Sequence, residues 1–442
     1  MSSKSPIPSY QDLTPEEIGR IWGDIRTSGG RQSYIEKELG RLGLLVTRKE
    51  TANMSKNDLN AYKQKLKAES AARKELKRLT WLSYKANHLV HLGEDVFWND
   101  EWDWDKFDHP RAEERAAENN LPKLDKPTDL ASLIEVTIPQ LRWLTYHRDD
   151  ATHVHYERFT IPKRTGGERA IWAPRPILKH AQRTILREIV ERLPIHGAAH
   201  GFVPGRSILS NAAIHTGSRI VIKMDLKDFF PSVTFSRVKG VFRNAGYREQ
   251  IATLLALLCT EPPREVVMVD GVTHYVALGP RCLPQGAPTS PAITNTLCLN
   301  LDRRMRGLAE ALGWRYTRYA DDLTFSLPLS HKKHPKIGNL IGGVKMIVAD
   351  EGFELHPDKT RIMRKGSRQS VTGLIVNEEG TPRVPRETRR MLRAAIYNQK
   401  QGKPLHEDES LFTLLGYSAF VYMTDRELGA QWLEDLKPLL EG

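Results

Sequence analysis

The sequence predicts an α+β fold in which an antiparallel sheet is backed by helices, with a mostly helical region in front of it. Two β-rich runs predict the sheet: residues 219–225 (RIVIKMD) and residues 314–327 (WRYTRYADDLTFSL), the second patterned as a strand, a tight turn and a strand. Amphipathic helical patterns cover residues 57–79 and 177–193. Because compact alternation of strands and helices begins near residue 122, we expect a boundary there.

The first 121 residues carry helix signals and an uneven charge. Thr14 begins a capping box that Glu17 closes, with a proline in the first turn, so we expect a helix to start there. Within the helix predicted over residues 57–79, seven basic and two acidic residues lie between positions 63 and 78. This excess of positive charge is compatible with a solvated amphipathic face and equally with a phosphate-binding face.

Tryptophans and acidic residues alternate near the end of this region. Trp98, Trp102 and Trp104 lie among seven acidic residues between positions 94 and 108. Because the acidic side chains would repel phosphate, a packed aromatic cluster is favoured over a base-stacking surface. The polar stretch after His109 predicts a connection between domains.

Two further elements are predicted after residue 122. Thr137 and Gln140 form a capping-box pattern at the start of a short helix. Residues 155–176 predict two strands around the Gly166-Gly167 turn. Together with the runs above, these elements give the second part of the chain its mixed α and β character.

Composition excludes several classes of protein. The 442-residue chain is 40% apolar and 27% charged, which is typical of a globular protein, and its net charge of +12 favours a polyanionic partner. The longest apolar run, residues 251–259, is too short to span a membrane, and residues 1–17 show no secretion signal. Three cysteines without a C-x-x-C pair argue against a disulfide framework or a zinc ribbon. We therefore expect a cytoplasmic protein with no membrane partner.

Carboxylates stand at the ends of two strands that should be buried. Asp225 ends one β-rich run, and Asp321-Asp322 lies at the tip of the hairpin, 96 residues after Asp225. Two such strands side by side would bring like charges together, and a divalent metal would remove the repulsion. A pair of metal ions there could activate an attacking oxygen and stabilise a leaving phosphate. The alternative is a surface hairpin in which Asp-Asp is ordinary turn chemistry.

Three motifs in a fixed order favour the metal site. They are MDLKDFFPSV at residues 224–233, LPQGAPTSP at residues 283–291 and YADD at residues 319–322. Together they resemble the palm motifs of reverse transcriptases. The resemblance implies a right-hand polymerase with fingers, a palm and a helical thumb.

The same resemblance assigns roles in binding metal and in catalysis. Asp225 and Asp321 would hold two Mg²⁺ ions with the Leu226 carbonyl as a further ligand, and Asp322 would orient the site or contact the metal. Lys359 resembles the lysine that protonates the leaving pyrophosphate, with a solvated lysine as the alternative.

The incoming nucleotide would meet the fingers and the palm. Phe230 stands where the family places an aromatic gate that excludes a 2′-OH and so selects dNTPs, whereas Phe229 is expected to pack in the core. A basic hairpin implied by the resemblance would cradle the triphosphate, and a loop would approach the nucleotide closely. The hairpin residues are Lys163, Arg164 and Arg169, and the loop residues are Gln285 and Gly286.

Two more sequence motifs narrow the resemblance to retron reverse transcriptases. Residues 211–215 (NAAIH) match the NAxxH pattern, and residues 371–377 (VTGLIVN) contain the VTG triplet of that family. The resemblance implies that the residues of both motifs take part in binding RNA; they are Asn211, His215, Val371, Thr372 and Gly373. It covers residues 122–442, and the preceding region resembles the extension of the longer, myxobacterial-type members.

A retron enzyme implies a defined activity and defined partners. It would bind its own structured noncoding RNA, prime from the 2′-OH of an internal guanosine and copy part of that RNA into branched single-stranded DNA (msDNA). Such systems commonly serve anti-phage defence with a separate effector protein. No residues remain after the predicted thumb for an RNase H domain, so RNA removal would depend on a host RNase H. Residues 359–403 carry twelve basic and three acidic residues, which suits an RNA stem.

We therefore expect three parts: an N-terminal helical extension over residues 1–121, fingers and palm over residues 122–373, and a thumb over residues 374–442. Two alternatives stay open. One is another bacterial reverse transcriptase of the group II intron-like, diversity-generating or abortive-infection type. The other is a noncatalytic RNA-binding scaffold on a polymerase fold, which would be expected to lose the carboxylates that this chain retains.

Overall fold

The computed structural model describes residues 13–51, 54–94, 96, 98, 107–162, 166–332, 334–403 and 410–441. The first half of its helices, in chain order, are α1 (Pro15–Thr27), α2 (Arg31–Arg41), α3 (Lys56–Asn87), α4 (Ala112–Glu118), α5 (Pro127–Leu133), α6 (Ile138–Thr145), α7 (Pro176–Glu188), α8 (Ile208–Ala213) and α9 (Phe235–Ala245). The others are α10 (Glu249–Cys259), α11 (Ser290–Leu297), α12 (Leu299–Ala311), α13 (Ile337–Asp350), α14 (Arg386–Lys400), α15 (Leu411–Tyr422), α16 (Arg426–Leu436) and α17 (Pro438–Glu441).

The strands form four sheets, all with antiparallel pairing. In chain order they are β1 (Asp150–Ala151), β2 (Tyr156–Pro162), β3 (Glu168–Pro174), β4 (Ser218–Asp225), β5 (Arg264–Val269), β6 (Val272–Ala277), β7 (Arg315–Tyr319), β8 (Asp322–Pro328), β9 (Arg361–Arg364), β10 (Ser370–Val371) and β11 (Leu374–Ile375). The sheet orders are β7-β8-β4-β9, β1-β6-β5, β2-β3 and β10-β11. The predicted α+β class, with helices first, is confirmed.

The N-terminal helices α1, α2 and α3 pack around a small core of their own. Ile35 and Leu39 of α2 meet Leu76 and Leu79 of α3, and all four side chains are buried. The capping box at Thr14 is present, since its hydroxyl accepts from the Glu17 N–H. The helix predicted over residues 57–79 runs on to residue 87, and its buried positions after Leu79 are the polar residues Thr80 and Ser83, which an apolar periodicity does not record.

The polar stretch after His109 is partly helical, where the sequence predicted a connection. Helix α4 lies in it and packs against α9. Arg115 donates to the Asn244 carbonyl at 2.9 Å, and Gly246 lies so close to α4 that a Cβ there would be 2.4 Å from the Ala112 carbonyl oxygen. The contact is made by backbone atoms and polar side chains, which give no apolar periodicity for a sequence prediction to find.

The four-stranded sheet holds the two β-rich runs that the sequence predicted. Strands β7 and β8 form the predicted hairpin, and β8 pairs with β4 along its length. Helices α12 and α13 pack against one another, with α12 also in contact with β7. Helix α10 is almost wholly buried in the same large core, which explains why its sequence is nearly all apolar.

A second core joins the C-terminal helices to the palm side of the sheet. Leu392 of α14, Leu414 of α15 and Trp432 of α16 are buried together with Val221 of β4 and Val371 of β10. This helical unit occupies the place where the sequence predicted a thumb. No helix in the described ranges is both long and apolar enough to cross a membrane.

Candidate active site

The ends of β4 and β8 bring the three carboxylates together. Asp225 and Asp322 are direct partners in the antiparallel register, so their side chains leave the same face of the sheet. The Leu226 N–H donates to the Asp321 carbonyl at 3.0 Å, which holds the hairpin turn beside the end of β4. Residues 95 and 97 positions apart in the chain thus become neighbours.

The tip of the hairpin is a tight turn with a constrained backbone. Ala320 has a φ of +54°, a left-handed conformation that ordinary residues adopt at a cost. Gly201 lies directly against this turn, and a Cβ at Gly201 would be 2.7 Å from the Ala320 nitrogen. The turn therefore depends on a neighbour without a side chain.

Two lysines hold two of the carboxylates. Lys359 Nζ donates to Asp225 Oδ1 at 2.8 Å, and Lys223 Nζ donates to Asp322 Oδ2 at 3.3 Å. The His356 N–H donates to the Asp225 carbonyl at 2.8 Å, so the short turn Pro357–Lys359 is anchored at the end of β4. The lysine predicted from HPDKTRIM therefore does lie at the carboxylate cluster, with half of its side chain exposed.

The third carboxylate has a shifted protonation equilibrium. Burial and, to a lesser extent, the nearby charges of Asp225 and Asp322 together raise the pKa of Asp321 to about 6, against a smaller opposing effect of Lys359. In the described residues, no three His, Cys, Asp or Glu side chains are arranged to hold one metal ion by themselves. The carboxylates fit an ion that takes few protein ligands and completes its shell with substrate phosphates, as Mg²⁺ does.

The two phenylalanines after Asp225 have different surroundings. Phe229 is 4% exposed, and its ring centroid lies 5.6 Å from that of Phe353, so it packs in the core as expected. Phe230 is only partly buried, with its ring centroid 5.5 Å from that of Phe229. Phe230 is therefore less enclosed than Phe229.

The predicted glycine loop meets the fingers hairpin. The Trp172 N–H of β3 donates to the Gln285 carbonyl at 2.7 Å. Gly286 has a φ of +119°, and a Cβ there would be 2.7 Å from the Trp172 carbonyl oxygen. The close backbone approach that requires glycine is thus made to β3, the strand that carries Arg169.

Arg169 itself lies in β3 opposite Ile161 of β2, near the tip of the hairpin. The other two predicted basic residues of the turn, Lys163 and Arg164, lie outside the described residues. So do Trp102 and Trp104, whereas Trp98 packs against the large core and donates from Nε1 to the Leu89 carbonyl at 3.0 Å.

The NAxxH helix and the VTG turn lie against each other. Thr372 Oγ1 donates to the Ile208 carbonyl at 3.1 Å, which links residues 164 positions apart. Thr372 and Gly373 both have positive φ, at +46° and +85°, while Val371 is buried in the second core. Two short patterns from distant parts of the chain therefore form one structural unit.

His215 and Asn211 are completely buried within that unit. His215 is hydrogen-bonded through Nδ1 to Ser326 Oγ and through Nε2 to Thr317 Oγ1, both at 2.7 Å. Burial lowers the pKa of His215 to about 3, so the ring is neutral at physiological pH. Both side-chain polar atoms of Asn211 lack a hydrogen-bond partner in the described residues. His215 thus joins α8 to the back of strands β7 and β8.

The sequence prediction missed a buried ion pair next to the carboxylates. Arg318 is bound by Asp302 through Nη2 at 2.7 Å and Nε at 2.9 Å, and both side chains are fully buried. Arg318 Nη1 also donates to Asn295 Oδ1 at 3.0 Å and to the Ala320 carbonyl at 3.2 Å. The guanidinium therefore supports the hairpin turn from behind. One feature of the sequence could have indicated this ion pair, because an arginine lies within a strand whose central residues are buried.

A four-stranded antiparallel sheet with carboxylates at the ends of two neighbouring strands, between a fingers hairpin and a helical thumb, defines a polymerase palm. The family of reverse transcriptases (RNA-dependent DNA polymerases) matches residues 161–416. The chain is also similar to the retron Mx162 reverse transcriptase of Myxococcus xanthus, 50% identical over 425 residues that cover 94% of this chain and 88% of that protein.

Two further relatives agree with this result. The retron Mx65 reverse transcriptase of Myxococcus xanthus is 41% identical over 74% of each chain. The retron Ec86 reverse transcriptase of Escherichia coli is 33% identical over 69% of this chain and 86% of that protein. The chain belongs to the retron reverse transcriptases and is an RNA-directed DNA polymerase, a class of enzyme that uses divalent metal ions.

The buried ion pair gives a first prediction. Asp302→Ala leaves Arg318 charged and unpaired in the core, so we expect the free energy of unfolding to fall by about 3–5 kcal/mol. The matched control is Glu310→Ala on the same helix, which breaks an exposed pair with Arg306 and should change it by less than about 1 kcal/mol. Urea denaturation followed by circular dichroism measures both, and equal losses in the two variants would contradict the role assigned to Arg318.

The crowded carboxylates give a second prediction, for protein freed of metal by chelation. The folded state holds the Asp321 proton up to about pH 6 and the unfolded state only to about pH 4, so stability falls as pH rises through this window. Asp321→Asn has no such proton to lose and should be more stable than the unsubstituted chain at pH 8 by about 3 kcal/mol. The difference should vanish near pH ~4.

Thermal or urea unfolding at several pH values tests this. Asp350→Asn, an exposed carboxylate paired with Arg304, is the control and should show little pH-dependent gain. A stability difference between Asp321→Asn and the unsubstituted chain that does not change between pH ~4 and pH ~8 would remove the argument from crowding.

Proposed function

We propose that this reverse transcriptase copies its own structured noncoding RNA into branched single-stranded DNA, starting from the 2′-OH of an internal guanosine of that RNA. The observation that carries the proposal is the unit formed by the NAxxH helix and the VTG turn, which is joined through His215 to the strands that bear the carboxylates. The retron relatives supply the kind of template and product, because the names of those proteins tie them to retrons.

Two Mg²⁺ ions are proposed to bind at Asp225 and Asp321, with the Leu226 carbonyl as a further ligand. Such ions would lower the barrier to attack by the priming hydroxyl and neutralise charge on the leaving phosphate. Asp322 sits next to both carboxylates and is held by Lys223, so we assign it to orienting the site or to direct contact with the metal. The raised pKa of Asp321 supports the proposal, because a cation there would relieve the repulsion.

Lys359 is proposed to give a proton to the departing pyrophosphate. Its amino group already lies 2.8 Å from Asp225, and its side chain is half exposed, so the amino group can turn to an incoming phosphate. A positioned acid at this point removes the need for the leaving group to depart with its full charge.

The dNTP is proposed to bind between the fingers and the palm. Arg169, with Lys163 and Arg164 of the same hairpin, would contact the triphosphate through charge-assisted hydrogen bonds. Gln285 and Gly286 lie in a loop that is hydrogen-bonded to β3, so the fingers hairpin and this loop would line the same side of the nucleotide site.

We propose that the two retron motifs bind RNA through exposed backbone atoms and through the shape of the surface that they form. Thr372 is half-buried and Gly373 is exposed, whereas Asn211, His215 and Val371 are buried and would act by holding this surface in place. Helix α14, rich in arginine, would add phosphate contacts from the thumb.

The wider biological setting belongs to the same proposal. We infer a cytoplasmic enzyme whose RNA template is trimmed by a host RNase H, and whose msDNA complex acts in anti-phage defence with a separate effector protein. We also propose that residues 1–121, 122–373 and 374–442 are the extension, the fingers with the palm, and the thumb. The small core of helices α1, α2 and α3 supports the first boundary, and the second core, which gathers helices α14, α15 and α16 against β4 and β10, supports a distinct C-terminal helical part.

A third prediction tests the priming reaction. The chain is expressed with its native flanking DNA, and the nucleic acid that copurifies is digested with RNase and run on a denaturing gel with and without a debranching enzyme. We expect a discrete short DNA whose mobility shifts on debranching. Asp321→Asn should give no DNA while RNA still copurifies, and Asp350→Asn should give as much DNA as the unsubstituted chain.

Other outcomes of this experiment discriminate between functions. A DNA that does not shift on debranching would keep the polymerase and reject 2′-OH priming. Full DNA synthesis by Asp321→Asn would reject the metal site. RNA without DNA from the unsubstituted chain would favour an RNA-binding scaffold.

A fourth prediction concerns sugar selection. Phe230→Ala removes the ring beside the carboxylates and should raise incorporation of ribonucleotides relative to deoxyribonucleotides by about tenfold or more, because the ring no longer excludes a 2′-OH. Single-nucleotide extension of a primed template measures the ratio. Phe412→Ala, an exposed phenylalanine on α15, is the control, and an unchanged ratio in Phe230→Ala would reject the gate.

A further inference from the structure

A separate cavity lies beside helix α6, away from the carboxylates. Its volume is about 490 Å³, and it is lined by α6, the segment that follows it and residues 90–91 at the end of the N-terminal region. None of its walls belongs to strands β4, β7, β8 or β9. The side chains that give it chemical character are Arg142, Trp143, Tyr146, Arg148, His153 and His155.

Aromatic rings in this cavity are held in place and partly exposed. Trp143 is 52% exposed although it stands on a helix whose other apolar residues are buried. His155 packs edge-on against Trp143 at 4.3 Å between ring centroids, and its Nε2 is hydrogen-bonded to the Trp143 carbonyl at 2.8 Å. His91 packs edge-on against Tyr146 at 5.7 Å. The faces of these rings are therefore preorganised for a flat ligand.

The charge of the cavity is positive. Neither Arg142 nor Arg148 forms an ion pair with a carboxylate in the part of the chain that the structure describes, and the Arg148 guanidinium lies 4.8 Å from the Tyr146 ring centroid. The carboxylate in the lining, Glu261, is neutralised by Arg264 at 2.7 Å, and both of these side chains are buried. Two arginines thus remain for an anion, beside exposed rings.

We propose that this cavity binds one nucleotide, with the base against Trp143 and the phosphate at Arg142 and Arg148. A nucleotide combines a flat π-face with a negative charge, which matches aromatic rings beside unpaired guanidinium groups. The volume lies within the range of about 300–1,000 Å³ that small-ligand sites occupy. The nucleotide is either free in solution or a single unstacked residue of a bound RNA, and both sources offer the same chemistry.

This site is independent of the priming reaction proposed above. It requires neither the carboxylates nor a branched product, so its test is separable from theirs. The arginines and the rings come from one stretch, residues 142–155, that no motif of the sequence marked. Its position between the N-terminal region and the fingers makes it a candidate contact for RNA that wraps around the enzyme.

The experiment uses the full chain freed of nucleic acid by nuclease treatment and high salt. Adenosine 5′-monophosphate and guanosine 5′-monophosphate are the free probes, measured by calorimetry, with adenosine and ribose 5-phosphate as fragments. The second probe is the RNA that copurifies with the chain, labelled and measured by filter binding. The variants are Trp143→Ala, Arg148→Gln and the double variant, with Trp81→Ala and Arg187→Gln as exposed controls in other helices.

We expect the double variant to weaken binding of one probe by about five- to hundredfold, because both stacking and a phosphate contact are lost. If the double variant loses affinity for a mononucleotide, and adenosine and ribose 5-phosphate each bind more weakly than the mononucleotide does, the ligand is a free nucleotide. If the double variant loses affinity for the RNA alone, the ligand is an unstacked residue of the RNA. Changes below about twofold for every probe would overturn the proposal.

Primer extension on an unrelated primed template accompanies each measurement. The variants should retain this activity, which shows that they fold and that the palm is intact. If the unsubstituted chain does not extend the primer, the result counts against polymerase activity. The binding measurements then decide by themselves whether the cavity holds a nucleotide.

Discussion

Three carboxylates crowd the end of one pair of antiparallel strands, and much of the surrounding structure holds them there. The register that sets Asp225 opposite Asp322 is fixed by seven residues of β4 that pair with β8. Neighbouring like charges repel, and two of the three carboxylates are met by lysines, while burial together with the charges of its neighbours raises the pKa of the third. The repulsion lowers the stability of the folded protein at the site that is proposed to hold a cation and a triphosphate.

Residues behind the sheet offset this loss of stability. Arg318 reaches from β7 to Asp302 on α12 and to the carbonyl of Ala320, so a buried ion pair supports the strained turn. Such a pair requires full hydrogen bonding to be tolerated, and Asn295 and Tyr316 complete it. Asn295 also donates to the carbonyl of Gly201, the glycine that lies against the turn. The turn, the glycine and the ion pair form one connected support.

The same sheet connects the site of chemistry to the retron-specific motifs. His215 crosses from the NAxxH helix to Thr317 and Ser326, which belong to the strands that flank the YADD turn. On its other side the helix meets Thr372 of the VTG turn. A neutral, doubly hydrogen-bonded histidine is a rigid link, so the surface assigned to RNA is tied mechanically to the carboxylates. This arrangement suits the proposed priming, in which one particular hydroxyl of a folded RNA is placed at the carboxylates.

The sequence by itself determined the local elements, and among them the two strand ends at which the carboxylates stand. Capping boxes at Thr14 and Thr137, the β-rich run before Asp225 and the hairpin around Asp321 all follow from interactions within a few residues, which a linear pattern records. The tertiary structure decided which distant groups meet. The partner of Arg318, the burial of His215, the approach of Gly286 to β3 and the cavity around Trp143 each depend on segments that contact only after folding. Side-chain pairing across such separations leaves no periodic trace in a single sequence, because it depends on how whole elements pack together.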